Sequence, residues 1–345
     1  MTATLQFPFP DLPAPSQRLE VAPGIFWLRM PLPFALDHIN LWLLKDGSGW
    51  MIVDTGFGLP EVQAAWETIL ADLDGPVTGI VVTHFHPDHL GLADWLQEKT
   101  GAPLFMTAGE FLTAHAVWHE IGGHGTAPML EQFRRHGLDE ARCTALAKRG
   151  NAYRKGVPSL PSTYCRLFGG DHMVIDGRDW QVVLGFGHSP EHMALYCQDS
   201  NVLISGDMLL PKISTNISVF AVTPTANVLQ DYLGSLEHYA EAIPEDTLVL
   251  PSHGLPFTGI QPRVDDLCAH HEERLTVLEE RCSEPQSAAD LLGTLFPRAL
   301  DTHQTMFAMG EAIAHLNYLE QAGRLACLRD ADGVFRYVRN ETKHQ

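Results

Sequence analysis

The sequence has few basic residues for its length. Its 345 residues include 23 Lys and Arg against 42 Asp and Glu, which gives a formal charge of −19 at pH 7. Proteins that hold nucleic acid need a dense basic surface, because much of their affinity comes from neutralising phosphates and releasing counterions. The composition therefore argues against nucleic acid as a partner.

Paired cysteines are absent. None of the six cysteines forms a CxxC motif, so the sequence predicts neither a disulfide framework nor a thiolate zinc cluster. We expect reduced thiols at all six positions, which are Cys143, Cys165, Cys197, Cys268, Cys282 and Cys327.

Long apolar runs are also absent. No stretch approaches the 18 or so apolar residues of a membrane span, and the first 20 residues contain no basic segment followed by an apolar one. We therefore expect a cytoplasmic protein with no membrane partner.

What the sequence does contain is an alternation of strand-like and helix-like segments. Short β-rich runs such as "INLWLLKD", "GWMIVDTG" and "GIVVTH" are separated by amphipathic stretches, including residues 59–73 and a helix predicted over 88–99. This alternation predicts an α/β layered architecture.

Two segments depart from that alternation. Residues 110–168 are mostly helical and are predicted to be an insertion outside the sheets. Beyond about residue 262, three predicted helices, the third over 302–321, and a hairpin with the turn "DADG" form a winged-helix pattern. The predicted division is a catalytic domain over 1–261 and a winged-helix-like domain over 262–345.

The charge of these segments bears on possible partners. The 110–168 segment carries eight Lys and Arg against five acids, so it either docks an anionic acyl carrier such as glutathione or coenzyme A, or is a solvated helical face. Residues 262–345 carry nine Lys and Arg against fourteen acids. That acidity favours packing, or contact within a homodimer, over DNA binding by the C-terminal domain.

The stretch "THFHPDH" places four metal-binding side chains directly after an apolar run. His84 and His86 alternate at a strand end and can converge on one ion, whereas Asp88 and His89 begin a helix and can converge on a second. A two-metal site needs further ligands from other strand ends.

Further candidates follow other β-rich runs. His188, Asp207 and His253 each come just after such a run, at the edge where ligands gather in layered α/β folds. Asp207 has two carboxylate oxygens and is the natural shared ligand. Asp54, in "IVDTG", is better placed as an acceptor that orients a ligand histidine or the metal-bound water.

These motifs resemble the metallo-β-lactamase superfamily. The resemblance rests on HxHxDH, "DTG", "GHSPEH", "SGD" and a later His, spread over residues 20–260. It implies a four-layer αβ/βα sandwich with two metals at one edge. It also implies His84, His86 and His188 at the first metal, Asp88, His89 and His253 at the second, and Asp207 as the bridge.

The resemblance is strongest to the glyoxalase II-like and β-lactamase-like hydrolases that carry a C-terminal winged-helix domain. It implies hydrolysis of a small-molecule ester-like bond, a thioester or a lactone, by a hydroxide bridging two divalent cations. Zinc is the expected metal, with iron and manganese as alternatives. Asp88 and Asp54 are the candidates for proton transfer.

Two alternative functions stay open at this point. One is a metal-dependent nuclease, since nucleases share this fold and winged helices enter DNA grooves. The other is a sulfur dioxygenase with a single iron, although such an enzyme does not need the second set of ligands.

Overall fold

A computed structural model describes residues 5–340. Within this range the chain forms two compact units. The first comprises the described residues up to His115, with Tyr153–Thr215 and Ser235–Val264. The second comprises Ala116–Ala152, Asn216–Gly234 and the described residues from Asp265 onward. The 110–168 segment is thus divided between the units, and the predicted domain bounds stay a prediction.

The first unit contains a seven-stranded and a five-stranded sheet. The seven-stranded sheet runs β1 to β7 in chain order; its first three pairings are antiparallel and its last three are parallel. Its strands are β1 Leu19–Ala22, β2 Ile25–Pro31, β3 His38–Asp46, β4 Gly49–Val53, β5 Val77–Val81, β6 Leu104–Met106 and β7 Cys165–Arg166.

The five-stranded sheet has the order β12-β11-β10-β9-β8, and only the β11 and β12 pair is parallel. Its strands are β8 His172–Ile175, β9 Arg178–Gly185, β10 His192–Cys197, β11 Val202–Gly206 and β12 Leu248–Pro251.

One apolar core lies between these two sheets. Trp27 and Trp42 enter it from the first sheet and Trp180 from the second, and all three are fully buried. At about 25 cal/mol per Å² of apolar area removed from water, such large side chains contribute strongly to holding two sheets together.

Helices cover the outer faces. The helices that lie wholly or partly in the first unit are α1 Pro60–Asp72, α2 Pro87–Leu90, α3 Ala93–Thr100, α4 Ala108–Trp118, α7 Tyr153–Gly156, α8 Val228–Ala242 and α9 Ile260–Arg281. Helices α1 and α3 contact the first sheet. In α8, Ser235 Oγ accepts a hydrogen bond of 2.8 Å from Phe186 N–H, beside the second sheet. This is the predicted four-layer α/β architecture.

The second unit contains the C-terminal helices and hairpin. Two of its helices begin with capping boxes, Ser287 with Asp290 and Asp301 with Gln304, which satisfy amide groups that the first turn leaves unpaired. Apart from the portions of α4, α8 and α9 that belong to it, the second unit contains α5 Thr126–Arg135, α6 Glu140–Arg149, α10 Ala288–Leu295, α11 Thr302–Gln321, β13 Leu325–Arg329 and β14 Phe335–Arg339, with a short 3₁₀ helix at Gly122–His124. The winged-helix arrangement stays a prediction.

Two details of the predicted fold were wrong. The helix predicted over 88–99 is two helices, because Thr55 Oγ1 donates to the His89 carbonyl and accepts from Leu92 N–H, which interrupts the helical ladder. Gly91 lies in this break, where a Cβ would come within 2.4 Å of the Gly56 carbonyl oxygen. The predicted insertion also is not wholly outside the sheets, since β7 pairs with β6.

All six cysteines are free, as expected. None of the helices between residues 5 and 340 combines the length and the apolar composition that a membrane-spanning helix requires.

Candidate metal centre

Seven side chains converge at one edge of the first unit, and together they are called the metal rim. They follow strand ends in both sheets, since β5 precedes the "THFHPDH" loop and β9, β11 and β12 precede the other three. The first group of the metal rim comprises His84, His86, His188 and Asp207, and the second comprises Asp88, His89 and His253; within each group the ligand atoms lie within 4.8 Å of one another.

The first group is rich in imidazole. His84 Nε2 lies 2.9 Å from His86 Nδ1 and 3.2 Å from His188 Nε2. His188 Nε2 lies 3.4 Å from Asp207 Oδ2. Ligand atoms on a tetrahedral zinc lie ~3.4 Å apart, given Zn–N distances near 2.1 Å. Three nitrogens and one oxygen are therefore spaced as one cation would require.

The second group combines imidazole with carboxylate. His253 Nε2 lies 3.4 Å from Asp88 Oδ2, and the same distance separates it from Asp207 Oδ1. His89 Nε2 lies 3.6 Å from Asp207 Oδ1. Asp207 thus presents Oδ2 to the first group and Oδ1 to the second.

Two buried atoms test whether cations fit here. Within residues 5–340, neither His89 Nε2 nor Asp207 Oδ1 has a hydrogen-bond partner. A buried polar atom left unpaired is costly, and a cation bound between these two would satisfy both. Both atoms point into the second group, which fits a bound cation.

Hydrogen bonds behind the ligands fix their orientation. His89 Nδ1 donates to Asp54 Oδ2 over 2.7 Å, and His253 Nδ1 donates to the His38 carbonyl over 2.9 Å. Each bond places the proton on Nδ1 and turns the Nε2 lone pair inward, as in metal-bound histidines.

Asp54 is buried, at 1% exposure, and its carboxylate is fully engaged. Besides His89, Oδ1 accepts from Thr83 N–H at 2.8 Å and Oδ2 from Thr83 Oγ1 at 2.9 Å. Its backbone has a φ of 62°, a left-handed conformation that Asp tolerates better than most residues. Of the roles predicted for Asp54, this geometry favours orienting a ligand histidine.

Burial dominates the pKa values of His84 and His86, whereas neighbouring carboxylates dominate the pKa of His253. Burial lowers the pKa of His86 to about 3 and that of His84 well below its usual value, so both are neutral and able to bind a cation. Burial also lowers the pKa of His253, but Asp207 and Asp88 outweigh it and raise that pKa to about 10. A cation bound in the second group must therefore displace protons.

Several supporting residues were not foreseen. Asn40 lies within a buried strand, and its Nδ2 donates to the carbonyls of Pro251 and Gly254 on either side of His253, at 2.8 and 2.9 Å. A polar residue inside "INLWLL" was the available signal. Glu110 is buried near the first group, and nothing in the sequence marks it out.

His192 is fully buried but is not in either group. Its Nε2 accepts a hydrogen bond of 3.2 Å from the Asp207 N–H. It therefore helps to hold the backbone of the shared ligand.

The metallo-β-lactamase superfamily model matches residues 35–253, which is more than half of the chain and includes all of the metal rim. The chain belongs to the metallo-β-lactamase superfamily. A second model, described as the metallo-β-lactamase-like C-terminal domain, matches residues 275–340. The predicted resemblance is confirmed: this is a superfamily hydrolase with a His/Asp metal-binding cluster.

Relatives of this superfamily member match from about half to nearly all of its length. A β-lactamase domain protein from Burkholderia ambifaria has a solved structure that is 48% identical, with a TM-score of 0.90 over 97% of this chain and 98% of that one. A probable metallo-hydrolase, YqjP, from Bacillus subtilis is 25% identical over 89% of this chain and 96% of that protein. A hydroxyacylglutathione hydrolase from Albidiferax ferrireducens is 26% identical over 52% of this chain and 51% of that protein.

Proposed function

We propose that this chain uses two divalent cations to hydrolyse a small-molecule ester-like bond, either a thioester or a lactone. The observation that carries the proposal is the position of Asp207, whose two oxygens face different groups of ligands. A carboxylate shared in this way would hold two cations, which together would supply the chemistry for cleaving one bond.

The donors of the metal rim suit the proposed cations. Cations bound there would supply a water of lowered pKa and a positive charge for the oxygen that gains charge. All the donors are nitrogen or oxygen, which supports zinc as the first expectation and leaves iron and manganese as alternatives.

The two remaining carboxylates have different tasks. The Asp88 side chain is 20% exposed, against 11% for Asp207, and its Oδ2 lies 3.4 Å from His253 Nε2. In this proposal Asp88 accepts a proton from the attacking water and passes it to the leaving group, and its greater exposure supports that role. Asp54 holds the His89 ring instead, because both of its oxygens already accept hydrogen bonds.

Support for a thioester comes from the hydroxyacylglutathione hydrolase relative, whose named substrate is an acyl thioester of glutathione. A lactone stays in the substrate class because its carbonyl is attacked in the same way. Docking of an anionic carrier on the 110–168 segment stays a prediction. Three of its eight basic residues already pair with acids of the same segment, namely Arg134 with Glu140, Arg135 with Glu131 and Arg142 with Asp139.

A hydrolysis panel on protein of known metal content tests the proposal. The panel contains acyl thioesters, acyl lactones, a chromogenic cephalosporin and a phosphodiester. We expect cleavage of a thioester or a lactone that chelation abolishes and zinc restores. Preference for the phosphodiester would favour the nuclease alternative, and oxygen uptake with a persulfide at one iron per chain would favour the dioxygenase.

A further inference from the structure

The Glu110 carboxylate is fully buried in the first turn of α4 and accepts three hydrogen bonds. Its Oε2 accepts from Phe85 N–H at 2.9 Å. Its Oε1 accepts from Ser189 Oγ and from Glu191 N–H, both at 2.7 Å. Three donors on one buried carboxylate make a strong, well-oriented contact, because hydrogen bonds to an ionised acceptor exceed neutral ones.

These donors belong to the two loops that carry the histidines of the first group. Phe85 separates His84 from His86, and Ser189 directly follows His188. The next peptide group is held as well, since the Phe85 carbonyl accepts from the Tyr153 hydroxyl. Each Glu110 oxygen therefore accepts hydrogen bonds from one loop, and the side chain connects the two loops.

We propose that Glu110 is the positioning residue of the first group: it fixes the spacing between the His84–His86 loop and the His188 loop, so that three imidazole nitrogens converge on one cation. The inference rests on the proposed two-cation centre. Glu110 accepts from backbone and hydroxyl donors beside the ligands and acts through them.

The second group is held by different residues. His253 is fixed by the His38 carbonyl and by Asn40, which bonds the carbonyls on either side of it. His89 is fixed by Asp54. A change at Glu110 should therefore weaken the first group alone.

Glu110→Gln tests the proposal. An amide offers only one acceptor oxygen, so either Phe85 N–H or the donors of the other loop lose their partner. Zinc affinity is measured by competition with a chromophoric chelator in two backgrounds. His253→Ala leaves the first group complete, and His86→Ala leaves the second group complete with Asp207.

In the His253→Ala background we expect Glu110→Gln to lower zinc affinity about 10- to 100-fold, the usual effect of removing a residue that orients metal ligands. In the His86→Ala background we expect the affinity to change less than about twofold. Equal losses in both backgrounds, or no loss in either, would overturn the proposal.

Glu311→Gln is the matched control. Glu311 is also a buried glutamate and pairs with Arg274 at 3.0 Å within the second unit. It should lower the thermal stability without changing zinc affinity in either background, which separates positioning from general destabilisation. If Glu110→Gln does not fold, Ser189→Ala removes one donor; an unchanged first-group affinity in that variant overturns the proposal.

The proposed function has a separate readout. Wild-type protein that saturates with fewer than two zinc ions per chain would contradict the two-cation hydrolase whatever Glu110 does. Wild-type protein that binds two zinc ions, with Glu110→Gln unaffected, would overturn only the role of Glu110.

Discussion

Both units bury histidines, but the neighbours of those histidines differ. In the metal rim, His253 faces the carboxylates of Asp88 and Asp207. In the second unit, His271 Nδ1 donates to His315 Nε2 over 3.1 Å, and His315 Nδ1 donates to the Glu311 carbonyl over 2.8 Å.

The second unit shows that an unpaired imidazole nitrogen does not by itself mark a metal site. Among the residues that the structure describes, His271 Nε2 is buried without a hydrogen-bond partner, as His89 Nε2 is. Burial lowers the pKa of His271 to about 3 and that of His315 to about 4, with no facing carboxylate to raise them. Convergent carboxylates are what distinguish the metal rim from this ordinary buried pair.

The largest expected effect comes from removing the shared carboxylate. Asp207→Asn takes the anionic oxygen from both groups, so we expect turnover to fall at least ~10²-fold, the scale of losing a principal electrostatic contact in an active site. We also expect fewer than two zinc ions per chain by metal analysis. Asp179→Asn, at an exposed aspartate paired with His172, is the matched control and should leave both values unchanged.

A smaller loss is expected from Asp54→Asn. This change replaces the carboxylate that accepts from His89 Nδ1, so zinc affinity of the second group should fall about 10- to 100-fold in the His86→Ala background. The first group, measured in the His253→Ala background, should lose less affinity, because Asp54 reaches it only through Thr83, next to His84. A loss confined to the first group would contradict the assignment of His89.

Acid should destabilise the second unit through its buried histidine pair. Because the pKa values of His271 and His315 lie below the ordinary value near 6.5, the unfolded state binds more protons between pH 6.5 and about 4. The free energy of unfolding therefore falls as the pH falls through this window.

His271→Gln should reduce this pH dependence. Each pKa unit corresponds to about 1.4 kcal/mol, so between pH 7 and 5 the metal-free variant should lose about 1–2 kcal/mol less than the wild type. Urea unfolding at the two pH values measures the difference. An identical loss in both proteins would show that His271 does not titrate on unfolding.

The smallest effect is expected at a helix cap. Asp301 caps α11 by accepting from Gln304 N–H at 2.8 Å, and Asp301→Ala should cost about 1 kcal/mol of unfolding free energy. Zinc affinity should not change, because the metal rim lies in the first unit. A matched loss of zinc affinity would mean that the two regions are energetically coupled.

The fold class and the convergence of the metal-rim side chains could be predicted from the sequence, because both depend on local patterns. A ligand that directly follows a β-rich run can be assigned to a sheet edge from its position alone, as with Asp207 after β11. The C-terminal helix predicted over 302–321 has those bounds in the structure, because Asp301 and Gln304 form a recognisable cap.

What the sequence did not predict depends on contacts between distant segments. Glu110 accepts hydrogen bonds from residues 85 and 189, which are distant from it in the sequence. The residues next to Glu110 in the sequence therefore do not indicate these contacts. The break near Gly91 likewise depends on Thr55, 36 positions earlier in the numbering. Strands β1 and β8 were missed because they are only four residues long and partly exposed.

The origin of the ligands has a mechanical consequence. His84, His86, Asp88 and His89 extend from the first sheet, whereas His188, Asp207 and His253 extend from the second. Each cation would therefore cross-link the two sheets at their open edge. A bound cation would hold that edge closed, so the amide hydrogens on both sides of it should exchange with solvent more slowly in the metal-bound protein.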